Sequence, residues 1–248
     1  MELPQECITC LVTSGFDRVF SDCIGSNSGG INVPGLVLLS RLPLRNVKKV
    51  DLIPGIKQLL PRSYLYAEVD GIGSVACTHL TAYLSNTYFE PSLRTTFRSW
   101  AEQNLYEVSS LVSGLRHLPR VIVMGDLNSG PSVPERRVIP AIPESFFTFT
   151  KNKFTAPYVD RIGQCTYCRE NPIAGTNLNF ILDHILLKGY EARMVRRIFD
   201  HLIPGQDYPS SDHYGVEVTL PESFENRPCH YILNLYSLKR FLPHGVCA

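Results

Sequence analysis

The chain has 248 residues, with 24 Lys plus Arg against 23 Asp plus Glu and 44% hydrophobic residues. That balance admits one large core and excludes extended disorder, and a net charge of +1 excludes the strong positive field of a committed nucleic-acid binder. No stretch approaches the ~20 apolar residues of a membrane span, and the opening residues lack the basic start and apolar run of a signal peptide, so a soluble chain is expected.

In chain order, residues 4–14 read as a helix that starts at Pro4 and ends before Gly15. Residues 36–39, 74–78, 121–124 and 181–187 are short apolar runs flanked by breakers and read as buried strands; 214–220 alternates and reads as a fifth. Residues 92–115 carry Phe97, Trp100, Leu105, Val108, Leu111 and Val112 near helical spacing, with Gly114 close to the end, which predicts a long helix. The proline-rich stretch 129–179 shows little periodicity and reads as mostly loop, its aromatic residues implying a packed excursion near a site. Residues 231–242 are apolar and aromatic with two basic residues, and suit either a packed strand or helix or a surface that presses on a bilayer. The domain is expected to span 1–221, with 222–248 an extension packed on it. No internal repeat or low-complexity tract interrupts this pattern.

Eight cysteines leave the compartment open, being many for a cytosolic enzyme and few for a disulfide scaffold. Two CxxC pairs, Cys7/Cys10 and Cys165/Cys168, lie too far apart for the usual four-thiolate zinc spacing. Buried thiols are the simpler reading, then a disulfide.

Several expected strand ends carry polar residues: Thr78-His79, Gly125-Asp126, Leu182-Asp183 and Ser211-Asp212-His213 before Tyr214. Loops braced by a rigid sheet are where catalytic groups are usually held. Asp126 and Asn128, two apart after a strand, can face one pocket, and their oxygens suit Mg²⁺ or Mn²⁺. Hydrolysing a phosphodiester requires charge neutralisation at the phosphate, an activated water and a stabilised leaving oxygen, which carboxylates, a cation and histidines can divide.

The motifs Gly35–Leu44, Thr78-His79-Leu80, Gly125-Asp126-Leu127-Asn128, Leu182-Asp183-His184 and Ser211-Asp212-His213, in this order, resemble the endonuclease/exonuclease/phosphatase superfamily. The resemblance implies an α+β, four-layer α/β/β/α sandwich of the deoxyribonuclease-I-like type, with two mixed sheets flanked by helices. It also implies a hydrolase that cleaves a phosphodiester by in-line attack of water with Mg²⁺, Mn²⁺ being the alternative ion. By that resemblance Asp126 and Asn128 bind metal and phosphate, Asp212 is a further acidic ligand, and His213 is the general base, oriented by Asp183. His79 would contact the scissile phosphate or protonate the leaving group. The family's metal-binding glutamate, which ends a Gln-Glu strand, falls on Glu2, with Glu6 the weaker fit, while the preceding strand and its asparagine have no counterpart. An N-terminally truncated member is therefore expected, with activity of this chain and its compartment left open.

The run Thr78–Tyr83 with Arg94 or Arg98 and Gln103-x-x-x-Glu107 looks like the neutral sphingomyelinase branch, although Thr81 stands where that branch has a second histidine. A lipid head group or small phosphodiester is thus the expected substrate, for a chain expected to be monomeric. A nuclease is the alternative and a non-catalytic binding member the second one. The basic clusters at 45–49 and 193–197 read as solvated faces rather than phosphate tracks.

Overall fold

The computed structural model describes residues 7–13, 36–40, 42–56, 61–83, 93–221 and 230–236. Ten strands form two five-stranded sheets among them. Strands β1 (Cys7–Thr13), β2 (Leu36–Ser40), β8 (Met194–Ile198), β9 (Gly215–Thr219) and β10 (His230–Tyr236) make one, in the order β2-β1-β10-β9-β8. Strands β3 (Leu44–Asp51), β4 (Ser63–Val69), β5 (Gly73–His79), β6 (Val121–Asp126) and β7 (Asp183–Lys188) make the other, in chain order. This mixed α+β pair of sheets with few helices has the deoxyribonuclease-I-like arrangement expected from the sequence.

Strands β4 to β7 of the second sheet are buried on both faces, and strand alternation sorts their side chains. Leu65 and Ala67 of β4, Ile122 and Met124 of β6, and Ile185 and Leu187 of β7 join Leu36, Leu38, Val216 and Val218 in a core between the sheets. Tyr64, Tyr66, Val121, Val123 and Leu186 point the other way, against Val108, Leu111 and Leu115 of helix α1 (Trp100–Leu115) and Phe146 and Phe149 of helix α2 (Pro143–Lys151). Burying a side chain of this size contributes about 1.5–3 kcal/mol before entropy is counted, so the two clusters carry most of the stability.

Helix α1 starts later than the apolar spacing indicates. Ser99 caps it by accepting from the Glu102 N–H at 3.2 Å, and the Glu102 carboxylate accepts from the Arg98 N–H at 2.6 Å. It links β5 to β6, which pair in parallel, as such a crossover requires.

One expectation is corrected and another is borne out. The helix expected over 4–14 gives way to strand β1 over 7–13, which pairs antiparallel with β2 and parallel with β10. Its run Ile8-Thr9-Cys10-Leu11-Val12-Thr13 is rich in β-branched residues, which favour an extended backbone, and residues 4–6 and 14 lie outside the described residues. The stretch 129–179 is mostly loop, as its lack of periodicity implies, with three short helical pieces set in it. It holds a 3₁₀ turn (Pro134–Arg136), α2 and α3 (Pro157–Arg161), and the prolines of each sit at the helix start, where the missing N–H costs nothing.

The strands β3, β4 and β8 were not legible as such, while β10 falls in the segment read as a packed strand or helix. In β3 the exposed positions are charged: Arg45 pairs with Asp70 at 2.9 Å, and Lys49 with Asp51 at 3.1 Å. The 231–242 segment contributes β10, set between β1 and β9. No helix among the described residues is long and apolar enough to cross a membrane.

Candidate active site

Three neighbouring strands of the second sheet align their polar ends. Residue pairing sets His79 opposite Asp126 and Asp126 opposite Asp183, so all three side chains leave the same face in a row. Alternation from Ile122 and Met124 puts Asp126 on the face turned toward the first sheet. His213, just ahead of β9, comes from that opposite sheet, and the four meet at one end of the sandwich.

The turn after β6 needs its particular residues. Gly125 has φ +147°, and a Cβ there would lie 1.7 Å from the Thr78 carbonyl oxygen. Glycine alone allows β5 and β6 to approach so closely. Asn128 takes φ +48°, the left-handed region asparagine tolerates. Its N–H donates to Asp126 Oδ1 at 2.8 Å and its amide nitrogen to the Leu80 carbonyl at 2.9 Å. The amide of Asn128 thus ties the Asp126 turn to the His79 loop.

His213 Nδ1 lies 2.8 Å from Asp183 Oδ2, and His79 Nε2 lies 3.5 Å from Asp126 Oδ2. Burial, then the nearby Asp183 charge, pushes the Asp126 carboxyl up to about 7. Burial alone would lower His213, but the charge and hydrogen bond of Asp183, with Asp126 and Asp212, raise it to about 9. Burial, then the Arg62 guanidinium and His213, hold His79 well below the ordinary imidazole value. One imidazole is thus strongly basic and the other neutral, from their surroundings alone.

Asp126, Asp183 and His213 place ligand atoms within 4.8 Å of one another. Asp183 Oδ1 is fully buried without a hydrogen-bond partner, which is costly unless a cation or substrate group completes it. A set of two carboxylates and one imidazole fits a divalent metal, and two crowded carboxylates raise their own affinity for one. Asp212 stands beside this cluster, 3.3 Å from Ser211 Oγ, and the ligand atoms that converge are those of Asp183 instead. Glu2 lies outside the described residues.

Four further residues surround the site, and the sequence pattern picks out only Tyr167 among them, as one of the aromatic residues of 129–179. Arg62, at the start of β4, donates to the His79 carbonyl at 3.3 Å and feels both Glu107 and Asp126. Asn104 donates to the carbonyls of Thr81 at 2.7 Å and Leu127 at 3.0 Å, bridging the turns after β5 and β6 from α1. Thr166 and Tyr167 touch Asp183 and His213. Each is remote in sequence from its partner, so no local signal marks the contact.

The Gln103/Glu107 pair, by contrast, was visible and has a different use. Glu107 accepts from the Thr81 N–H at 2.8 Å and the Thr81 hydroxyl at 2.7 Å, and Gln103 donates to both Thr81 Oγ1 and Glu107. These buried groups bond to one another and hold the loop after His79, with Gln103 Oε1 left without a partner among the described residues. Cys165 and Cys168 are joined by a disulfide, so the four-thiolate zinc arrangement is not formed.

The model of the Endonuclease/Exonuclease/phosphatase family matches residues 9–213. Similar solved structures include a 3′ phosphatase, NExo, from Neisseria bound to product DNA hairpin, at 14% identity and TM-score 0.55 over 76% of this chain and 75% of that one. The 3′-5′ exonuclease NExo from Neisseria meningitidis matches at 16% identity and TM-score 0.53, over 76% of each chain. A family protein from Leptotrichia buccalis matches at 13% identity and TM-score 0.51, over 76% of this chain and 66% of that one. No curated protein matches the sequence. These likenesses are of fold, and they agree with the two-sheet architecture above.

Proposed function

The chain belongs to the Endonuclease/Exonuclease/phosphatase family, whose members hydrolyse phosphoester bonds, and on that premise we propose a divalent-metal-dependent phosphodiesterase centred on Asp126, Asp183 and His213. The observation that carries it is the convergence of two buried carboxylates and an imidazole, with one carboxylate oxygen left unpaired. Asp126 and Asp183 would hold the ion, with Asp212 and Glu2 as further candidates. Magnesium fits the oxygen-rich set, and manganese is the alternative. When bound, the cation supplies positive charge that offsets the phosphate oxygens.

The chain's own residues do the rest. Asp183 accepts from His213 Nδ1 and so directs the other ring nitrogen, Nε2, to take a proton from water. A cation beside the carboxylates would cancel the charge that makes His213 so basic and leave it neutral at physiological pH. His79, already neutral, offers a ring N–H to a phosphate oxygen or to the departing alkoxide. Asn128 braces the Asp126 turn and adds a group for the phosphate. Water attacks phosphorus in line with the leaving oxygen, giving a phosphomonoester and an alcohol.

For substrate, a small or lipid-like phosphodiester remains the favoured class. Both basic clusters spend charge locally: Arg196 pairs with Glu217 at 2.8 Å and Arg197 with Asp200 at 3.1 Å, as Arg45 does with Asp70. That leaves less for a polyanionic backbone, whose binding depends on many free cations. The segment that resembles the sphingomyelinase branch supports this weakly, because Thr81, Gln103 and Glu107 bond to each other. A nuclease is the second reading, supported by the likeness in fold to a 3′ phosphatase bound to product DNA hairpin and to a 3′-5′ exonuclease.

Turnover of bis-p-nitrophenyl phosphate that requires Mg²⁺ or Mn²⁺ and vanishes in Asp126→Ala and His213→Ala is the expected result. An absence of turnover with either ion would leave a binding protein of the same fold. Parallel assays on sphingomyelin vesicles and plasmid DNA separate the substrates, and cleavage of DNA alone would reverse the preference.

A further inference from the structure

The segment 165–171 borders the reactive pair, and the mechanism above makes no use of it. Thr166 Oγ1 accepts from the N–H of Leu182 at 3.0 Å and of Asp183 at 3.2 Å, gripping β7 at the residue that holds His213. Tyr167 lays its ring against the His213 imidazole, centroids 4.7 Å apart and planes at 39°. Its hydroxyl donates to the Ala174 carbonyl. Asn171 donates to the Ser211 carbonyl at 2.9 Å, which reaches the other side of the same histidine loop. One short segment therefore contacts the reactive pair from the backbone of Asp183, the face of His213 and the turn before it.

Cys165 and Cys168 flank Thr166 and Tyr167, and their disulfide closes the backbone around those two residues. The strap is otherwise held by backbone bonds to Phe180 and Tyr214, Thr166 N–H to Phe180 O at 2.8 Å and Tyr214 N–H to Thr166 O at 2.8 Å. The Arg197 guanidinium lies 3.6 Å from Cys168 Sγ and 3.9 Å from Cys165 Sγ. The Glu170 carboxylate, 3.5 Å from Cys165 Sγ, opposes a thiolate there, so the cation favours Cys168 as the sulfur that leaves in thiol–disulfide exchange.

We infer that Thr166 and Tyr167 are positioning residues for the Asp183–His213 pair, and that the Cys165–Cys168 disulfide makes this positioning sensitive to dithiol reductants. The consequence for turnover rests on the phosphodiesterase reading. In the redox step a dithiol thiolate attacks one sulfur and its second thiol completes the exchange. The Cys165–Cys168 bond breaks, two cysteine thiols form, and the reductant leaves as its own disulfide. The backbone from 165 to 168 then regains torsional freedom, and the Tyr167 ring no longer keeps one pose over the imidazole. An aromatic face stabilises an adjacent cationic ring and limits its rotation, and partners of this kind set how well a catalytic histidine is aimed.

The test uses the whole chain and two readouts, turnover of bis-p-nitrophenyl phosphate with Mn²⁺ and the NMR signal of the His213 Cε1–H group, which senses the Tyr167 ring current. Tyr167→Ala is expected to lower kcat about 10- to 100-fold with little change in KM and to move the His213 signal. Tyr167→Phe keeps the ring and is expected to retain most of both. Dithiothreitol should lower wild-type kcat toward the Tyr167→Ala value and shift the same signal, while Cys165→Ser/Cys168→Ser should start in the reduced behaviour and ignore the reductant. A wild-type His213 signal unmoved by complete reduction overturns the inference, and so does a double variant that still responds, since the sensitivity would then arise elsewhere, as at the disulfide-bonded Cys77. If the oxidised protein turns over no substrate, the phosphodiesterase reading fails, and the NMR arm still decides the positioning.

Discussion

Replacing Asp183 with Asn isolates the charge that controls His213. The two groups meet at 2.8 Å, with Asp183 fully buried and the His213 side chain 15% exposed, so the interaction is little screened by solvent. In the fold His213 is raised to about 9, against about 6.5 for a free imidazole. A histidine raised in this direction stabilises the fold fully below its unfolded value and loses that contribution as pH climbs through about 9. At about 1.36 kcal/mol per pH unit the contribution is about 3 kcal/mol, shared with Asp126 and Asp212. In Asp183→Asn, burial regains the upper hand, and His213 should titrate at or below the free value. Urea unfolding of the metal-free wild type should show stability falling between roughly pH 6.5 and 9, and the variant should lack most of that slope. Proton NMR of the imidazole supplies the direct readout, and kcat should fall about 100-fold as the ring loses its orientation. A variant whose His213 still titrates near 9 would refute the assignment of Asp183 as the controlling charge.

Three other outcomes follow from the same geometry. Because Asp126 is held up to about 7 and His213 to about 9, a cation must displace protons, so Mn²⁺ affinity measured calorimetrically should rise about tenfold per pH unit below pH 7 and continue rising toward 9. A pH-independent affinity would exclude Asp126 as a ligand and His213 as a neighbour that gives up its proton to the ion's charge. Gly125→Ala forces a Cβ to within 1.7 Å of the Thr78 carbonyl and should cost about 3 kcal/mol or more, seen as a large drop in Tm. Asn104→Ala strips the Thr81 and Leu127 carbonyls of their donor, which should cost about 2–4 kcal/mol in urea unfolding and slow turnover by loosening both turns.

The sequence by itself determined the family and marked the polar residues that the fold brings together. His79, Asp126, Asp183 and His213 each lie at or beside a strand end, because short apolar runs stop abruptly at a polar residue and that transition is local. It also determined the buried strands β5, β6 and β7 to within one or two residues, since a strand buried on both faces is a continuous apolar run. Tertiary structure decided what periodicity cannot carry. β3 and β8 are charged edge strands whose pattern is set by solvent, and β1 is a strand because β2 and β10 lie on either side of it. The helices α2 and α3 start at prolines, which in sequence look like breaks. The partner of each catalytic group was likewise a matter of the fold: Asp183 joins the ligand cluster because antiparallel pairing sets it opposite Asp126, and Thr166 and Tyr167 reach the site only because 165–171 folds back over β7. Residue types announce a chemistry through local spacing, whereas the contacts that tune it join positions far apart in the chain and exist only once the two sheets have packed.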